Sequence, residues 1–205
     1  MKSFKWKTLF ITTMICLLPI LLGVSLWDRL PDTMAIHFNL YGEADGFASK
    51  WFVVFGLPII MAMFQAFCCI ATDINTRKYN QGAKIEMVSK WIIPFITAFL
   101  YVVTLGYALG WDLDVGKVAS FTVGVVFLVT GNYMPKLDYI KSYKIEPEKA
   151  KKINRFVGYE TVIMGVLFLV SIFFPPEAAA VCLVLLIPYA IIGAIYGIMV
   201  NKGLR

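Results

Sequence analysis

The chain has 205 residues, 60% of them hydrophobic, and its formal net charge is +6 at pH 7. A water-soluble domain of this size cannot bury so much apolar surface, so the composition excludes an ordinary soluble protein and indicates a bilayer around the apolar segments. The positive charge does not indicate nucleic acid, because the basic residues are grouped between the apolar segments, as they are in membrane proteins.

Six apolar segments have the length of a transmembrane helix, about 20 residues at ~1.5 Å each. They cover residues 8–27, 51–71, 91–110, 117–135, 156–174 and 180–200. The first segment follows three lysines without a small-residue cleavage site, so we predict a transmembrane helix there and not a signal peptide. Pro147 suits the first turn of a helix, which predicts that the fifth helix begins inside the basic segment 136–155.

The segment 28–50, between the first two predicted helices, contains the only histidine of the chain, His37. Its middle alternates between an apolar and a polar side, which predicts a short strand with one apolar face. The apolar side has Ile36, Phe38 and Leu40, and the polar side has His37, Asn39 and Tyr41. Gly42 and the Asp45-Gly46 pair are typical of turns, so we predict that they supply positive-φ positions.

Charge placement predicts the orientation. All but three of the 19 basic residues lie near the two termini or in the segments 72–90 and 136–155, which the positive-inside rule places in the cytoplasm together with both termini. The predicted fold is an all-α integral membrane protein with six transmembrane helices and an ordered extracellular loop, 28–50. Its predicted parts are a helical pair, 8–71, a basic cytoplasmic loop, 72–90, and a four-helix region, 91–205, that contains the basic segment.

Two motifs stand out, LPxxxxxHFNxxGExDG at 30–46, followed by Ser49-Lys50, and GNYMPK at 131–136. They resemble the two signatures of the SdpI family of bacterial immunity proteins, the first of which is an extracellular loop between the first two helices. After the second signature this chain departs from the family pattern, because residues 137–155 are rich in lysine.

The resemblance implies a multi-pass protein of the bacterial cell membrane that protects its cell from a secreted, hydrophobic or cationic peptide toxin. In the best-known member of the family the toxin-bound protein also holds a cytoplasmic transcriptional repressor at the membrane. The partners that the resemblance implies are therefore the toxin, the lipid bilayer and a repressor, without direct contact to nucleic acid. The sequence leaves open whether the protein forms a homo-oligomer.

The loop 28–50 contains the candidate residues for recognition of a ligand or peptide. They are Asp32, His37, Asn39, Gly42, Glu43, Asp45, Gly46 and Lys50. Alternatively, the glycines and Asp45 only build turns, and His37 is a polar residue on the wet face of a strand. A metal site at His37 would need carboxylates as its other ligands, so recognition or loop architecture is favoured over a metal.

A second polar group lies at the cytoplasmic ends of the fourth and fifth predicted helices. Its members are Asn132, Tyr133, Lys136 and Glu160. A carboxylate at bilayer depth usually has a partner, so we predict a contact of Glu160 with Asn132 or Lys136, which would form a polar switch. Alternatively, Glu160 is favoured by the dipole of its helix N-terminus and extends to water.

The function classes differ in their support. The chain has no metalloprotease, phosphate-loop or Ser/His/Asp motif, so we predict no enzyme, cofactor or metal. The alternative to an immunity protein is a small transporter or sensor that uses the polar patch around Glu160 and Asn132. The pairs Gly106/Gly110 and Gly193/Gly197 are predicted to be helix-packing positions.

Overall fold

The computed structural model describes residues 4–39, 41–79, 83–136 and 145–203. Its α-helices are α1 Trp6–Leu17, α2 Pro19–Ser25, α3 Leu57–Tyr79, α4 Ala83–Ala108, α5 Val115–Tyr133, α6 Pro147–Ser171 and α7 Pro176–Lys202. Two strands, β1 Thr33–Phe38 and β2 Ala44–Ser49, form an antiparallel hairpin. Short 3-10 helices cover Trp27–Arg29 and Met134–Lys136, and a π-helix covers Phe52–Gly56.

Within the described residues, six helices are long and apolar enough to cross a membrane, which confirms the predicted number. They are Trp6–Ser25, Phe52–Thr76, Glu86–Ala108, Val115–Lys136, Pro147–Ser171 and Pro176–Lys202. The first is made of α1 and α2, which join through Leu18 with helical φ and ψ of −53° and −36°. Pro19 interrupts the hydrogen bonds at this point because it has no N–H group.

The helices extend further into polar sequence than hydropathy predicts. Residues 72–90 are expected to form a loop, but α3 continues to Tyr79 and α4 begins at Ala83. Within the described part of this range, Asp73 and Lys90 form a buried ion pair, and Thr72 Oγ1 donates to the carbonyl oxygen of Cys68 at 2.7 Å. The prediction that the fifth helix begins at Pro147 is confirmed by α6, which runs without interruption to Ser171.

The chain divides into two compact units. The hairpin unit contains Ser3–Asp73 and Ser89–Val118, and the carboxyl-terminal unit contains Ile74–Val88 and Ala119–Arg205. The core of the hairpin unit joins β1 to the π-helix and α4. It consists of Leu30, Met34, Val53, Val54, Tyr101 and Leu105. This core anchors the hairpin, since an isolated two-stranded hairpin is marginally stable at best.

In the carboxyl-terminal unit, α5 and α6 pack backbone to backbone through glycines. A Cβ atom at Gly131 would lie 2.7 Å from the carbonyl oxygen of Gly158, and one at Gly124 would lie 3.0 Å from that of Gly165. Such distances leave no room for a side chain, so the glycines permit the close approach that is common between membrane helices.

The two predicted glycine packing pairs have different outcomes. The prediction is confirmed for Gly193 and Gly197, which face Glu160 and Ile153 of α6. It is wrong for the other pair, because Gly106 makes room for the ring of Trp111 and Gly110 follows the end of α4 with a φ of +80°. A glycine in this left-handed conformation is typical of a helix end.

Candidate functional site

The eight candidate residues of the first motif lie on one antiparallel hairpin and its base. The predicted strand is confirmed as β1, although Leu40 lies outside the described residues. The prediction that Asp45 and Gly46 form a turn is wrong, because both lie inside β2 and neither has a positive φ. Pairing with β1 requires extended backbone at these two positions, which overrides their local preference for turns.

Asn39 organises the turn between the strands. Its side-chain oxygen accepts hydrogen bonds from the N–H groups of Tyr41 at 2.9 Å and Glu43 at 3.0 Å, and its side-chain nitrogen donates to Glu43 Oε2 at 2.9 Å. Asparagine commonly stabilises turns in this way. Gly42 has a φ of +80°, which confirms the predicted positive-φ position.

Two register shifts divide the hairpin. Ala35 pairs with Phe47 and His37 with Gly46, so Ile36 is an extra residue on β1. Phe38 then pairs with Ala44, so Asp45 is an extra residue on β2 and restores the register. A bulge of this kind re-aims side chains.

The first bulge explains why the predicted apolar face is only partly correct. Ile36 is 41% exposed, although we expect it beside Phe38. Phe38 does pack, with its ring 4.8 Å from the ring of Tyr107 in α4.

The two bulges bring the only histidine against a carboxylate. His37 Nδ1 lies 2.5 Å from Asp45 Oδ1 and both side chains are solvent-exposed. Gly46, which pairs with His37, has no room for a side chain, because a Cβ atom there would lie 2.8 Å from His37 Cβ. His37, Asp45 and Gly46 therefore form one contact group in the middle of the hairpin.

Lys50 ties the base of the hairpin together. Its backbone N–H donates to the carbonyl oxygen of Asp32 at 2.8 Å, and its Nζ donates to that of Leu30 at 3.1 Å. Nζ also lies 3.2 Å from Asp32 Oδ1 and 4.9 Å from the ring centre of Trp27. The Lys50 side chain is only 14% exposed while that of Asp32 is 97% exposed, so Lys50 has a structural role and the carboxylate faces solvent.

The hairpin end of this unit has an excess of negative charge. Its carboxylates are Asp28, Asp32, Glu43, Asp45, Asp112 and Asp114, and its cations are Arg29, Lys50 and Lys117. Lys117 pairs with Asp114 at 3.1 Å. The backbone N–H of Lys117, which donates to Asp114 Oδ1 at 3.0 Å, lowers the pKa of Asp114. Such a surface favours a cationic ligand.

Large apolar side chains stand on the same hairpin. Tyr41, Phe47 and Trp51 are each more than half exposed. Beside them, Trp51 stacks on Phe55 with ring centres 5.1 Å apart and meets Trp27 edge-on at 4.8 Å. Aromatic clusters at the end of a membrane helix are typical of the membrane–water interface, so the base of the hairpin has the composition of an interfacial segment.

The second group of candidate residues does not come together as expected. The predicted contacts of Glu160 with Asn132 or Lys136 are wrong, because Glu160 Oε2 is buried beside Gly193 of α7 and has no hydrogen-bond partner. Asn132 is solvent-exposed, and Lys136 Nζ lies 4.5 Å above the ring of Tyr133. The direction of Glu160 around the axis of α6 points it at α7. Its position along the sequence does not reveal this direction.

The second motif has a clear packing role. Gly131 contacts the backbone of Gly158, and a Cβ atom at Gly158 would lie 2.9 Å from Pro135 Cδ. Three motif positions join the end of α5 to α6: Gly131, Pro135 and Met134, whose Sδ accepts a hydrogen bond from Thr161 Oγ1 at 3.7 Å. Local sequence does not identify Gly131 and Pro135 as a packing pair, because of the two residues only Gly131 is small.

Sequence reasoning missed a buried ion pair between Asp73 of α3 and Lys90 of α4. Asp73 Oδ2 also accepts a hydrogen bond from the backbone N–H of Lys5 at 3.4 Å, at the start of α1. On the same face of α3, Gln65 Nε2 donates to the carbonyl oxygen of Lys90 at 2.8 Å and to Cys69 Sγ at 3.1 Å. The available signal was the four-residue spacing of Gln65, Cys69 and Asp73, which places them on one helix face.

Across the residues whose positions the structure describes, no three or more His, Cys, Asp or Glu side chains are placed to hold a metal ion. His37 has Asp45 as its neighbour and needs no metal to satisfy Nδ1.

Comparison with known proteins finds one family and one curated relative that are similar to this chain. Residues 14–62 match a family described as a domain of unknown function, DUF1648. Over 193 residues the chain is 22% identical to the immunity protein SdpI of Bacillus subtilis strain 168, an alignment that covers 91% of this chain and 91% of that protein. No solved structure matches the chain.

The matched range 14–62 contains the whole hairpin with parts of the two helices that flank it. The likeness to the immunity protein extends over nearly the whole chain. These findings support an SdpI-like, multi-pass membrane protein.

Proposed function

We propose that this chain is a membrane immunity protein that protects a bacterial cell from a secreted antimicrobial peptide by capturing the peptide at the hairpin 33–49. The observation that carries the proposal is that all eight candidate residues of the first motif belong to one ordered hairpin and its base. The likeness to an immunity protein supports it. In this proposal the hairpin is extracellular and both termini are cytoplasmic, as the distribution of basic residues favours.

The surface of the hairpin suits a peptide that is both cationic and apolar. The carboxylates of Glu43 and Asp45 are exposed next to exposed side chains such as Phe47 and Tyr41. Opposite charges speed the encounter and orient the ligand, while burial of aromatic side chains supplies most of the affinity. Capture in this position removes the peptide before it enters the bilayer.

The proposal separates the candidate residues by role. Asn39, Gly42 and Lys50 build the hairpin, whereas Glu43 and Asp45 face the ligand. His37 orients Asp45 through their contact at 2.5 Å. No catalysis, cofactor or metal is required. Relay of occupancy to a cytoplasmic transcriptional repressor, which the family resemblance implies, would be a second step through the helices.

A sensor or small transporter that uses Glu160 is the second candidate. The observation in its favour is the buried Glu160 Oε2, which has no hydrogen-bond partner. Ionisable groups inside membrane helices often mark a functional path. In this second candidate the residues that matter are Glu160 and its neighbours on α7, and the hairpin is only a scaffold.

Survival of toxin-sensitive cells that express the chain tests both candidates. Cells are challenged with the secreted peptides of producing or neighbouring strains, at matched membrane levels of wild type, Asp45→Asn and Glu160→Gln. We expect wild type and Glu160→Gln to protect the cells equally. Cells with Asp45→Asn should be killed at a peptide concentration at least about tenfold lower, which corresponds to the loss of one charge-assisted contact. Loss with Glu160→Gln alone would favour the second candidate, and no protection by wild type would overturn the immunity proposal.

A further inference from the structure

The hairpin has an open edge along β2. In an antiparallel pair, alternate residues direct their N–H and C=O groups away from the partner strand. Within the described residues, β2 pairs only with β1, and no other backbone hydrogen bond involves residues 44–49. Half of the backbone groups of β2 are therefore available to another strand, the situation in which a sheet edge accepts an extended peptide.

The side chains of β2 distinguish its two faces. Asp45, Phe47 and Ser49 are exposed in alternation, while Ala48 packs against the core of the hairpin unit. A strand laid beside β2 would continue both faces, with one row of side chains beside Phe47 and the other toward the core. The opposite strand is less suitable, because Met34 and Ala35 of β1 are buried.

We propose that an extended cationic segment of a peptide adds to β2 as a third strand, a binding mode that rests on the proposed function and specifies it. The strand pairs with Phe47–Ser49, the part of β2 that pairs with β1 without a register shift. Main-chain hydrogen bonds hold the peptide, and its apolar side chains cover Phe47. Its basic side chains lie near Asp45 and Glu43, which supplies the complementary charge.

The position of this edge suits a peptide that approaches a membrane. β2 ends at Ser49, and Trp51 and Phe55 of the aromatic cluster follow within the next helical turns. A strand added here would lie at the level of this interfacial cluster. A peptide that is fixed in extended form by hydrogen bonds cannot fold into an amphipathic helix in the bilayer, so strand addition neutralises it.

The test uses the full chain in nanodiscs of zwitterionic lipid. The probe is a synthetic peptide of Lys-Lys-Val-Val repeats, which in extended form carries Lys and Val in turn on each face. Of two further probes, one carries N-methyl groups on alternate residues, which leaves one edge free, and the other carries them on every residue, which blocks both edges. We expect the probe with one free edge to bind as the parent does and the fully methylated probe to lose about tenfold or more in affinity, since several hydrogen bonds are removed. Empty nanodiscs measure the background of lipid binding.

The outcomes distinguish strand addition from capture by side chains. Equal affinity of both methylated probes would overturn strand addition and leave capture by side chains, with the proposed function intact. Failure of the parent probe to bind would also overturn strand addition, because main-chain pairing tolerates many sequences. The survival experiment then stands as a separate test of the immunity function. Phe47→Ala should weaken all three probes by a similar factor, and a parallel measurement of its thermal stability excludes loss of fold.

Discussion

At the scale of single residues, the Asp73 carboxylate and the Lys90 ammonium group meet where neither has access to solvent, with side chains 3% and 1% exposed. Removal of one partner from a buried pair leaves a charge that nothing compensates, whereas joint replacement by apolar groups is often neutral or stabilising. The pair also fixes the start of α1, because Asp73 accepts a hydrogen bond from the backbone of Lys5. The two side chains therefore contribute jointly to stability, and their effect is confined to the contact of α3, α4 and the start of α1.

We predict that Lys90→Met lowers the free energy of unfolding by about 3–5 kcal/mol and that Asp73→Leu combined with Lys90→Met recovers most of this loss. Unfolding in detergent micelles, followed by exposure of the buried cysteines to a thiol reagent, measures both variants. Lys149→Met is the matched control, since Lys149 pairs with Glu146 at the surface and such pairs contribute about 0–1 kcal/mol. A double variant as unstable as Lys90→Met would contradict the prediction.

Asp114 caps the N-terminus of α5 by accepting the N–H of Lys117. This hydrogen bond lowers the pKa of Asp114, so the cap stabilises the helix above the ordinary Asp range and the contribution is lost as the pH falls through the lowered value. We predict that acid, or Asp114→Ala at neutral pH, accelerates hydrogen exchange at the first turn of α5, with a cost of about 1 kcal/mol or less. Asp112→Ala is the control and should leave the exchange unchanged.

At the scale of elements, α5 and α6 can pack closely because the glycines between them have no Cβ atoms. We predict that Gly131→Ala costs about 1–3 kcal/mol, because its Cβ would overlap the carbonyl oxygen of Gly158, even though alanine alone favours a helix by about 1 kcal/mol. Gly197→Ala is the control, since its Cβ would have an ordinary contact of 3.9 Å with Ile153. Thermal unfolding of both variants in the same micelle measures the difference, and equal stabilities would contradict the prediction.

The elements that sequence predicts well are those with one dominant cause. A spanning helix must be apolar over its length, so hydropathy finds all six. The bulges at Ile36 and Asp45 have no local signature, because each is defined by the partner strand. In the same way, Asp73 and Lys90 lie in polar sequence that is typical of a loop. They form a pair only because α3 and α4 extend into this sequence. The predicted neighbours of Glu160 are wrong because rotation about α6, which hydropathy does not give, decides which helix Glu160 meets.

At the scale of the whole molecule, the direction in which the chain crosses the membrane decides whether a secreted peptide can reach the hairpin. Tyr41 at the hairpin tip and Glu148 at the start of α6 are separated in the sequence by three of the six candidate spans, so we expect them on opposite sides of a bilayer. Both side chains are exposed and each can be replaced by cysteine without loss of a buried contact. The four native cysteines lie within the apolar helices, which gives a low background.

We predict that a membrane-impermeant maleimide labels Tyr41→Cys in intact cells and labels Glu148→Cys only after the cells are permeabilised. The reason is the concentration of lysine and arginine in the segments 72–90 and 136–155 and near the termini, which favours a cytoplasmic position for these parts of the chain. The wild-type chain controls for the native thiols. Labelling of Glu148→Cys in intact cells, with Tyr41→Cys protected, would invert the topology and remove the hairpin from any secreted peptide.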